Sequence, residues 1–340
     1  MKKKIPFMES FFIKRHIRPR KYKTKEKLSM NPLRYPGAKS KLFKYIKTLI
    51  AKNELNGCTF YEPFAGSATL SWQLLDEGLI SQAVINEKDP LLYHFWKSVF
   101  FHTDELVNLI KKTDINIDTW NECVRYKEDA YLSNKETYQI GFAGLFLNRT
   151  NFSGILKAGP IGGKAQTSKY KLDCRFNKER IIQSILDIAA YKNRVGVFNE
   201  DAIDFMEKEV KSGSHKPIFV YIDPPYYKAG PSLYRHFYTN EDHRQLAKYI
   251  KDKRFPWLLS YDDTQEIRDL YNKEHCVNLQ LNYSVNSHRK EKELLIYNGK
   301  DELDVYSEML ETGIDIKMVR KYLGDDAADH MKDFCKEHGL

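Results

Sequence analysis

Ile218-Phe219-Val220-Tyr221-Ile222-Asp223-Pro224-Pro225-Tyr226 is the stretch that decides the fold. An unbroken apolar run of this length reads as a strand covered on both faces, as the central strands of parallel sheets are. Two prolines end it, since neither donates to a ladder and each fixes its own φ. Asp223 therefore falls at a strand's carboxyl end, where ligands bind in open α/β sheets. A stiff loop offering a carboxylate, a backbone carbonyl and an aromatic face suits a planar amine. An exocyclic amine on a purine is a poor nucleophile, because its lone pair is delocalised into the ring. Acceptors on its two N–H bonds, here the Asp223 carboxylate and the Pro224 carbonyl, draw the nitrogen toward tetrahedral geometry. Pro225 stiffens the loop and Tyr226 stacks on the ring. A plain strand-ending turn accounts for the same four letters, so the loop needs support from elsewhere in the chain.

Working outward, strands and helices alternate. Residues 58–63 and 83–86 read as strands, with a helix at 67–78 between them that stops at Gly78. Strand 195–198, helix 202–210, strand 218–223, helix 241–252, strand 257–261 and helix 264–272 follow, and strands near 277–283 and 292–297 pair as a hairpin. Such alternation predicts an α/β fold, a mostly parallel sheet with helices on both faces. Residues 100–190 interrupt it. Helices near 90–112, broken at His102-Thr103, near 118–150 in two pieces, and from the Asn177 cap to Ala190 surround a loop at 151–172 rich in Gly, Lys, Ser and Thr. A loop that long inside a domain usually has a task. Trp72, Trp96 and Trp120 lie in helical patterns and are assigned to the core.

Tyr61-Glu62-Pro63-Phe64-Ala65-Gly66-Ser67-Ala68-Thr69 joins the first strand to its helix. Small residues there let a ligand approach backbone N–H groups. Glu87 ends the next strand some twenty residues on, where an acid accepts from ribose hydroxyls in dinucleotide folds. Gly66 is the one glycine between 64 and 69, which suits a nucleoside ligand better than a pyrophosphate.

Of 340 residues, 42% are hydrophobic and 30% charged, a globular composition. Cys58, Cys123, Cys174, Cys276 and Cys335 are far apart, with no ligand spacing among them, so neither a metal site nor a disulfide framework is expected. No apolar run is long enough to span a membrane, and no signal peptide is visible, so a cytoplasmic protein is expected. The net charge is +9, and residues 1–29 alone carry eleven Lys/Arg against two Glu. Residues 301–340 carry eleven Asp/Glu against five Lys/Arg and read as acidic helices. A basic arm and a mildly basic body fit a polyanionic partner. Whether translation begins at Met1 or at Met30 stays open.

The ordered set RYPGAKSKL (34–42), YEPFAGSAT (61–69), NEKD (86–89), FLNRTNFSGI (146–155), NEDAIDF (199–205), IDPPY (222–226) and YSVNSHRKEKELLIYN (283–298) resembles the Dam-type DNA adenine-N6 methyltransferases, in their alpha-type motif order. The resemblance implies a Rossmann-like methyltransferase sheet with a target-recognition insertion. Residues 30–99 and 191–300 would form the catalytic domain and 100–190 the insertion, between the arm at 1–29 and the tail at 301–340. It implies S-adenosylmethionine as cofactor, held by Tyr35, Lys39, Phe64, Gly66, Glu87 and Asp201, and catalysis by Asp223, Pro224, Pro225 and Tyr226. It also implies DNA contacts from Asn148, Arg149, Phe152, Ser153, Ser287 and Arg289, with no metal; Asn151 as a short polar group and Lys157 as a basic one are read as further DNA contacts. Ala68 stands where relatives carry a second glycine, from which slight crowding is expected. The middle loop differs from that of GATC-methylating members, so their target is not transferred.

The expected activity is transfer of a methyl group to N6 of an adenine flipped out of duplex DNA. Cytosine N4, RNA adenine and a non-catalytic DNA-binding relative are the alternatives. The expected partner is double-stranded DNA, bound by a monomer at the nucleoid, with a cognate restriction endonuclease where the chain serves restriction.

Overall fold

The computed structural model describes residues 31–34, 42–211, 216–272, 275–282, 290–298 and 316–338. Seven strands form one sheet: β1 (Cys58–Glu62), β2 (Ile80–Asn86), β3 (Val195–Phe198), β4 (Ile218–Ile222), β5 (Trp257–Asp262), β6 (His275–Asn282) and β7 (Lys290–Tyr297). Their order is β3-β2-β1-β4-β5-β7-β6. β1 to β5 run parallel. β7 is antiparallel to β5, and β6 pairs antiparallel with β7 as the expected hairpin. From β1 the chain goes outward to β2 and β3, then returns to place β4 on the other side of β1. That reversal opens a crevice at the carboxyl ends of β1 and β4.

Alternate strand residues feed two cores. Phe60, Phe219, Tyr221 and Leu258 face one, and Tyr61, Val220, Ile222 and Leu259 face the other. The second core is closed by α9 (Ala202–Glu209), α11 (Asn240–Lys251) and α12 (Gln265–Leu270), through Phe205, Leu246 and Ile267. The first is closed by α1 (Phe43–Lys52), α2 (Thr69–Asp76) and α3 (Pro90–Phe101), and by the insertion helices α4 (Thr103–Lys112), α5 (Ile117–Arg125), α7 (Thr137–Thr150) and α8 (Lys178–Ala189). Short helices α6 (Asp129–Leu132) and α10 (Gly230–Leu233) sit in the connections, and the tail forms α13 (Ile316–Leu323) and α14 (Asp325–His338). The core is therefore α/β with helices on both faces.

Several boundaries follow from local chemistry. Asp89 caps α3 by accepting from the Leu91 N–H, with Pro90 at the first helical position. Asn177 caps α8. α3 stops at Phe101 and α4 starts at Thr103, the break expected at His102.

The insertion helices share their core with the sheet. Leu145 and Phe146 of α7, Ile185 of α8 and Phe60 of the sheet belong to one cluster. α7 packs against α3 so closely that a Cβ on Gly144 would lie 2.6 Å from the Leu91 carbonyl oxygen. Helix α1 was not anticipated, although Ile46, Leu49 and Ile50 follow helical spacing and are buried. The arm at 1–29 and the tail segment 307–313 lie outside the described residues.

Candidate active site

The crevice holds a cavity of about 370 Å³. Phe64 from the turn after β1, Glu87 from the end of β2, Asp201 from the end of β3, and Asp223 and Pro225 from the end of β4 all line it. Further wall comes from Leu233 to Tyr238, which follow the Asp223-Pro224-Pro225 loop, and from Asn148 with Gly154, Ile155 and Leu156 of the insertion. Asn86 ties the strand ends together. Its Nδ2 donates to the carbonyls of Pro63 (3.0 Å) and Glu200 (3.1 Å), and its Oδ1 accepts from the Glu200 N–H at 2.9 Å.

On the β4 side, Ser260 of β5 donates to Oδ1 of Asp223 at 2.8 Å, and the Tyr221 hydroxyl lies 2.8 Å from the Ser260 oxygen. Burial, then the charge of Asp223, holds the Tyr221 phenol well above its usual range, so it stays protonated. Pro224 and Pro225 are buried and Tyr226 is half-buried. Asp262, at the end of β5, accepts from the N–H groups of Tyr227 (2.8 Å) and Lys228 (3.0 Å) and so fixes the far side of the loop. Behind it, the buried Glu62 accepts from the Ser71 hydroxyl. Burial pushes the Glu62 carboxyl up to about 8, and Asp223 adds to the effect.

On the β1–β3 side, Glu87 accepts from the N–H of Gly66 (2.9 Å) and of Asp89 (2.9 Å), one with each oxygen. Burial raises it to about 7 against those hydrogen bonds. A carboxylate offers about four lone-pair sites, so acceptor capacity remains toward the cavity. Asp201 caps α9 through the Ile203 N–H at 3.0 Å, and Phe64 meets Tyr238 edge-on with ring centroids 5.4 Å apart. The indoles of Trp96 and Trp72 donate to the carbonyls of Gly66 (2.9 Å) and Ser67 (3.2 Å), so these core residues also hold the turn. Tyr35 and Lys39 lie outside the described residues.

A model of the D12 class N6 adenine-specific DNA methyltransferase family matches residues 35–285. The chain belongs to that family.

This D12-class chain is 24% identical over 229 residues to the type II methyltransferase M.CviBI of Paramecium bursaria Chlorella virus NC1A, an alignment covering 63% of this chain and 76% of the relative. A solved structure from Streptococcus mutans, described as a SAM-dependent methyltransferase, superposes with a TM-score of 0.30 at 9% identity, over 75% of this chain and 48% of that one. The chain thus spans about half of that structure, and so slight a likeness carries no weight for the fold.

The DNA-contact expectations divide sharply. Asn148, Arg149 and Asn151 are 1%, 5% and 0% exposed. Asn148 accepts from the Arg34 N–H (2.7 Å) and donates to the carbonyls of Arg34 (2.6 Å) and Gly154 (2.9 Å). Arg149 donates to the carbonyls of Pro32 (2.6 Å) and Asn31 (2.8 Å). Asn151 accepts from the Trp120 indole at 2.7 Å and donates to the carbonyls of Ile155 (3.0 Å) and Leu156 (3.2 Å). The direct-contact assignment is corrected for Arg149 and Asn151, while Asn148 also lines the cavity. Their polar atoms are turned inward, and they clamp segment 31–34 and loop 151–156 onto α7. Phe152 is 51% exposed and Lys157 is exposed, with its Nζ 3.0 Å from the Pro231 carbonyl. Ser153 sits between them with φ of 55°. Ser287 and Arg289 lie outside the described residues.

Ser260, Asp262, Glu62, Asp89 and Arg235 were missed from sequence. The signal for the first two was present, because WLLSYDD is a strand with polar residues at its carboxyl end, the same rule that singled out Asp223. Among the described residues no group of His, Cys, Asp and Glu is arranged to hold a metal, and no helix is long and apolar enough to cross a membrane.

Proposed function

We propose that this D12-class enzyme methylates N6 of an adenine extruded from duplex DNA, using S-adenosylmethionine. The observation that carries the reading is the sharing of one cavity by Asp223 and Pro225 with Phe64, Glu87 and Asp201.

The residues present fit the cofactor. Two carboxylates at adjacent strand ends suit the ribose hydroxyls and the adenine amine of a nucleoside, and the Phe64 ring gives an apolar surface between them. Bound S-adenosylmethionine supplies the methyl group as an electrophile on a cationic sulfur. Glu87 and Asp201 would accept from its ribose and adenine, and Tyr35 and Lys39 remain candidates beside it.

The chain's own task is alignment. Ser260 holds one oxygen of Asp223, so the carboxylate has a single orientation toward the cavity. Asp223 and the Pro224 carbonyl accept from the two N6–H bonds, while Tyr226 supplies a stacking face. Holding the amine in line with the methyl carbon supplies much of the rate, as effective molarity does generally. The target must leave the helical stack first. Phe152 is placed to wedge into the gap. The exposed Lys157, Lys164, Lys169 and Lys171 are placed to hold phosphates, contacts that set register without reading sequence.

The test is direct. Purified chain, S-adenosylmethionine and duplex DNA are incubated, and the DNA is digested to nucleosides for mass spectrometry. N6-methyl-2′-deoxyadenosine from wild type and none from Asp223→Ala, with cofactor binding kept, is the expected result. N4-methylcytosine, or methylation of RNA alone, would replace the substrate. Wild-type rates from Asp223→Ala would remove Asp223 from catalysis.

A further inference from the structure

We infer that Arg235 is a positioning residue that joins the catalytic half of the cleft to its cofactor half. The inference rests on the methyl-transfer reading above. Arg235 lies in the stretch between α10 and α11, on the cavity wall. Its Nη1 is 3.1 Å from Oδ1 and 3.4 Å from Oδ2 of Asp89, and its Nη2 donates to the Lys127 carbonyl at 2.8 Å. Both side chains are largely buried.

Asp89 is the junction. Its Oδ1 also caps α3 through the Leu91 N–H at 2.9 Å, and its own N–H is bound by Oε1 of Glu87. Oε2 of Glu87 holds the Gly66 N–H. One continuous polar path therefore runs from the turn after β1, through Glu87 and Asp89, to Arg235 and on to the insertion at Lys127. Three parts distant in sequence meet at a single guanidinium.

Guanidinium chemistry explains why arginine suits the place. Its planar fork satisfies a carboxylate and a carbonyl at once, which a lysine ammonium on a flexible stem does less well. A buried charge left without its partner is costly, so the pair resists opening. Lys157 reaches the Pro231 carbonyl from an exposed position, and Tyr238 touches Phe64 by ring contact only. Without Arg235, the wall formed by Tyr234, Phe237 and Tyr238 would lose a buried ion pair that ties it to the Glu87 turn. Both substrate sites would then lose alignment.

The test uses the full chain, with Arg235→Gln, Arg235→Lys, Asp89→Asn and the double variant Arg235→Gln/Asp89→Asn. Asn at 89 keeps an oxygen for the Leu91 N–H, so α3 stays capped. Affinity for S-adenosylhomocysteine is measured by calorimetry, kcat and KM on duplex DNA by methyl transfer, and stability by denaturation. Arg235→Gln is expected to weaken S-adenosylhomocysteine binding about tenfold and to lower kcat/KM about a hundredfold, the scale of a misplacement near 1 Å. Asp89→Asn should match it, and the double variant should be no worse than either single change, the mark of a coupled pair. Arg235→Lys should recover part of the loss.

Cofactor affinity and kcat/KM within about twofold of wild type in Arg235→Gln, or additive losses in the double variant, would overturn the proposal. A lowered melting point with unchanged affinity would likewise reduce Arg235 to a structural tie. If Arg235→Gln does not fold, Arg235→Lys and Asp89→Asn decide by the same readouts. A wild type that neither binds S-adenosylhomocysteine nor methylates DNA would instead sink the methyl-transfer reading, and this inference with it.

Discussion

The Ser260 hydroxyl donates to Oδ1 of Asp223 across 2.8 Å, from the strand next to the one that carries the acid. Because that hydrogen goes to the carboxylate, the Ser260 oxygen accepts from the Tyr221 phenol. The order of donors is set by Tyr221, which burial keeps protonated. Asp223 is thus oriented by a buried relay and not by the proline loop alone.

Ser260→Ala removes the donor and leaves a small void. A hydrogen bond to a charged group contributes about 1.5–3 kcal/mol, so kcat should fall roughly tenfold or more while affinity for S-adenosylhomocysteine hardly changes. Single-turnover methylation beside calorimetry checks the split. An unchanged kcat would mean that Asp223 needs no orienting partner.

The buried acids predict a pH dependence of stability. Burial raises Glu62 to about 8 and Glu87 to about 7, from an ordinary value of 4.5. The folded state therefore keeps protons that the unfolded chain releases. Their contribution is fully present below about pH 4.5 and is lost as pH climbs through 7 and 8, by up to roughly 1.4 kcal/mol per pH unit for each group. Ser71, Tyr221 and Asp223 are the neighbours of Glu62 in this. Glu62→Gln keeps the side-chain volume and should flatten the fall in denaturation free energy across that range. A curve parallel to wild type would show that Glu62 does not titrate there.

Ala68 stands at the start of α2 with φ of 45° and ψ of 33°, a left-handed conformation that costs a residue with a Cβ roughly 1–2 kcal/mol. Ala68→Gly should relieve that strain, offset by roughly 0.4–1 kcal/mol of added unfolded-state entropy. A net gain of about 0.5–1 kcal/mol in urea unfolding is expected. A loss of stability would mean that the Ala68 methyl packs better than its backbone suffers.

Salt dependence separates phosphate ligands from clamps. Lys157→Ala and Lys164→Ala should each reduce the slope of log K against log salt for duplex binding by about 0.9. Arg149→Ala should leave that slope alone and lower stability by about 1–3 kcal/mol, because its buried guanidinium holds segment 31–34. A smaller salt slope in Arg149→Ala would place that residue on the DNA.

Much of this was legible because it is local chemistry. Asn177 before an apolar-periodic run is a helix start, and the helix is there. Paired prolines after IFVYI must end a strand, and a strand-end acid in an alternating fold must face the crevice. The same locality explains the errors. Asn148, Arg149 and Asn151 sit beside a loop rich in Gly and Lys, so they resemble a polar surface. Segment 31–34, more than a hundred residues away in sequence, holds Asn148 and Arg149, and the Trp120 indole holds Asn151. No periodicity encodes which face of α7 that segment covers. Asp89 was legible as a cap before Pro90, but its second bond, to Arg235, crosses 146 positions.

The residue order by itself determined the strand–helix alternation, the strand-end acids at 87 and 223, and the chemical character of the Asp223-Pro224-Pro225-Tyr226 loop. Each depends on the properties of a few adjacent side chains. Only the folded chain decided that Ser260 orients Asp223, that Arg235 bridges the two halves, and that the polar end of α7 points inward. A hydrogen bond between distant segments depends on where the sheet order and helix packing bring them. That arrangement is set by burial of the whole core at once and not by any one stretch of sequence.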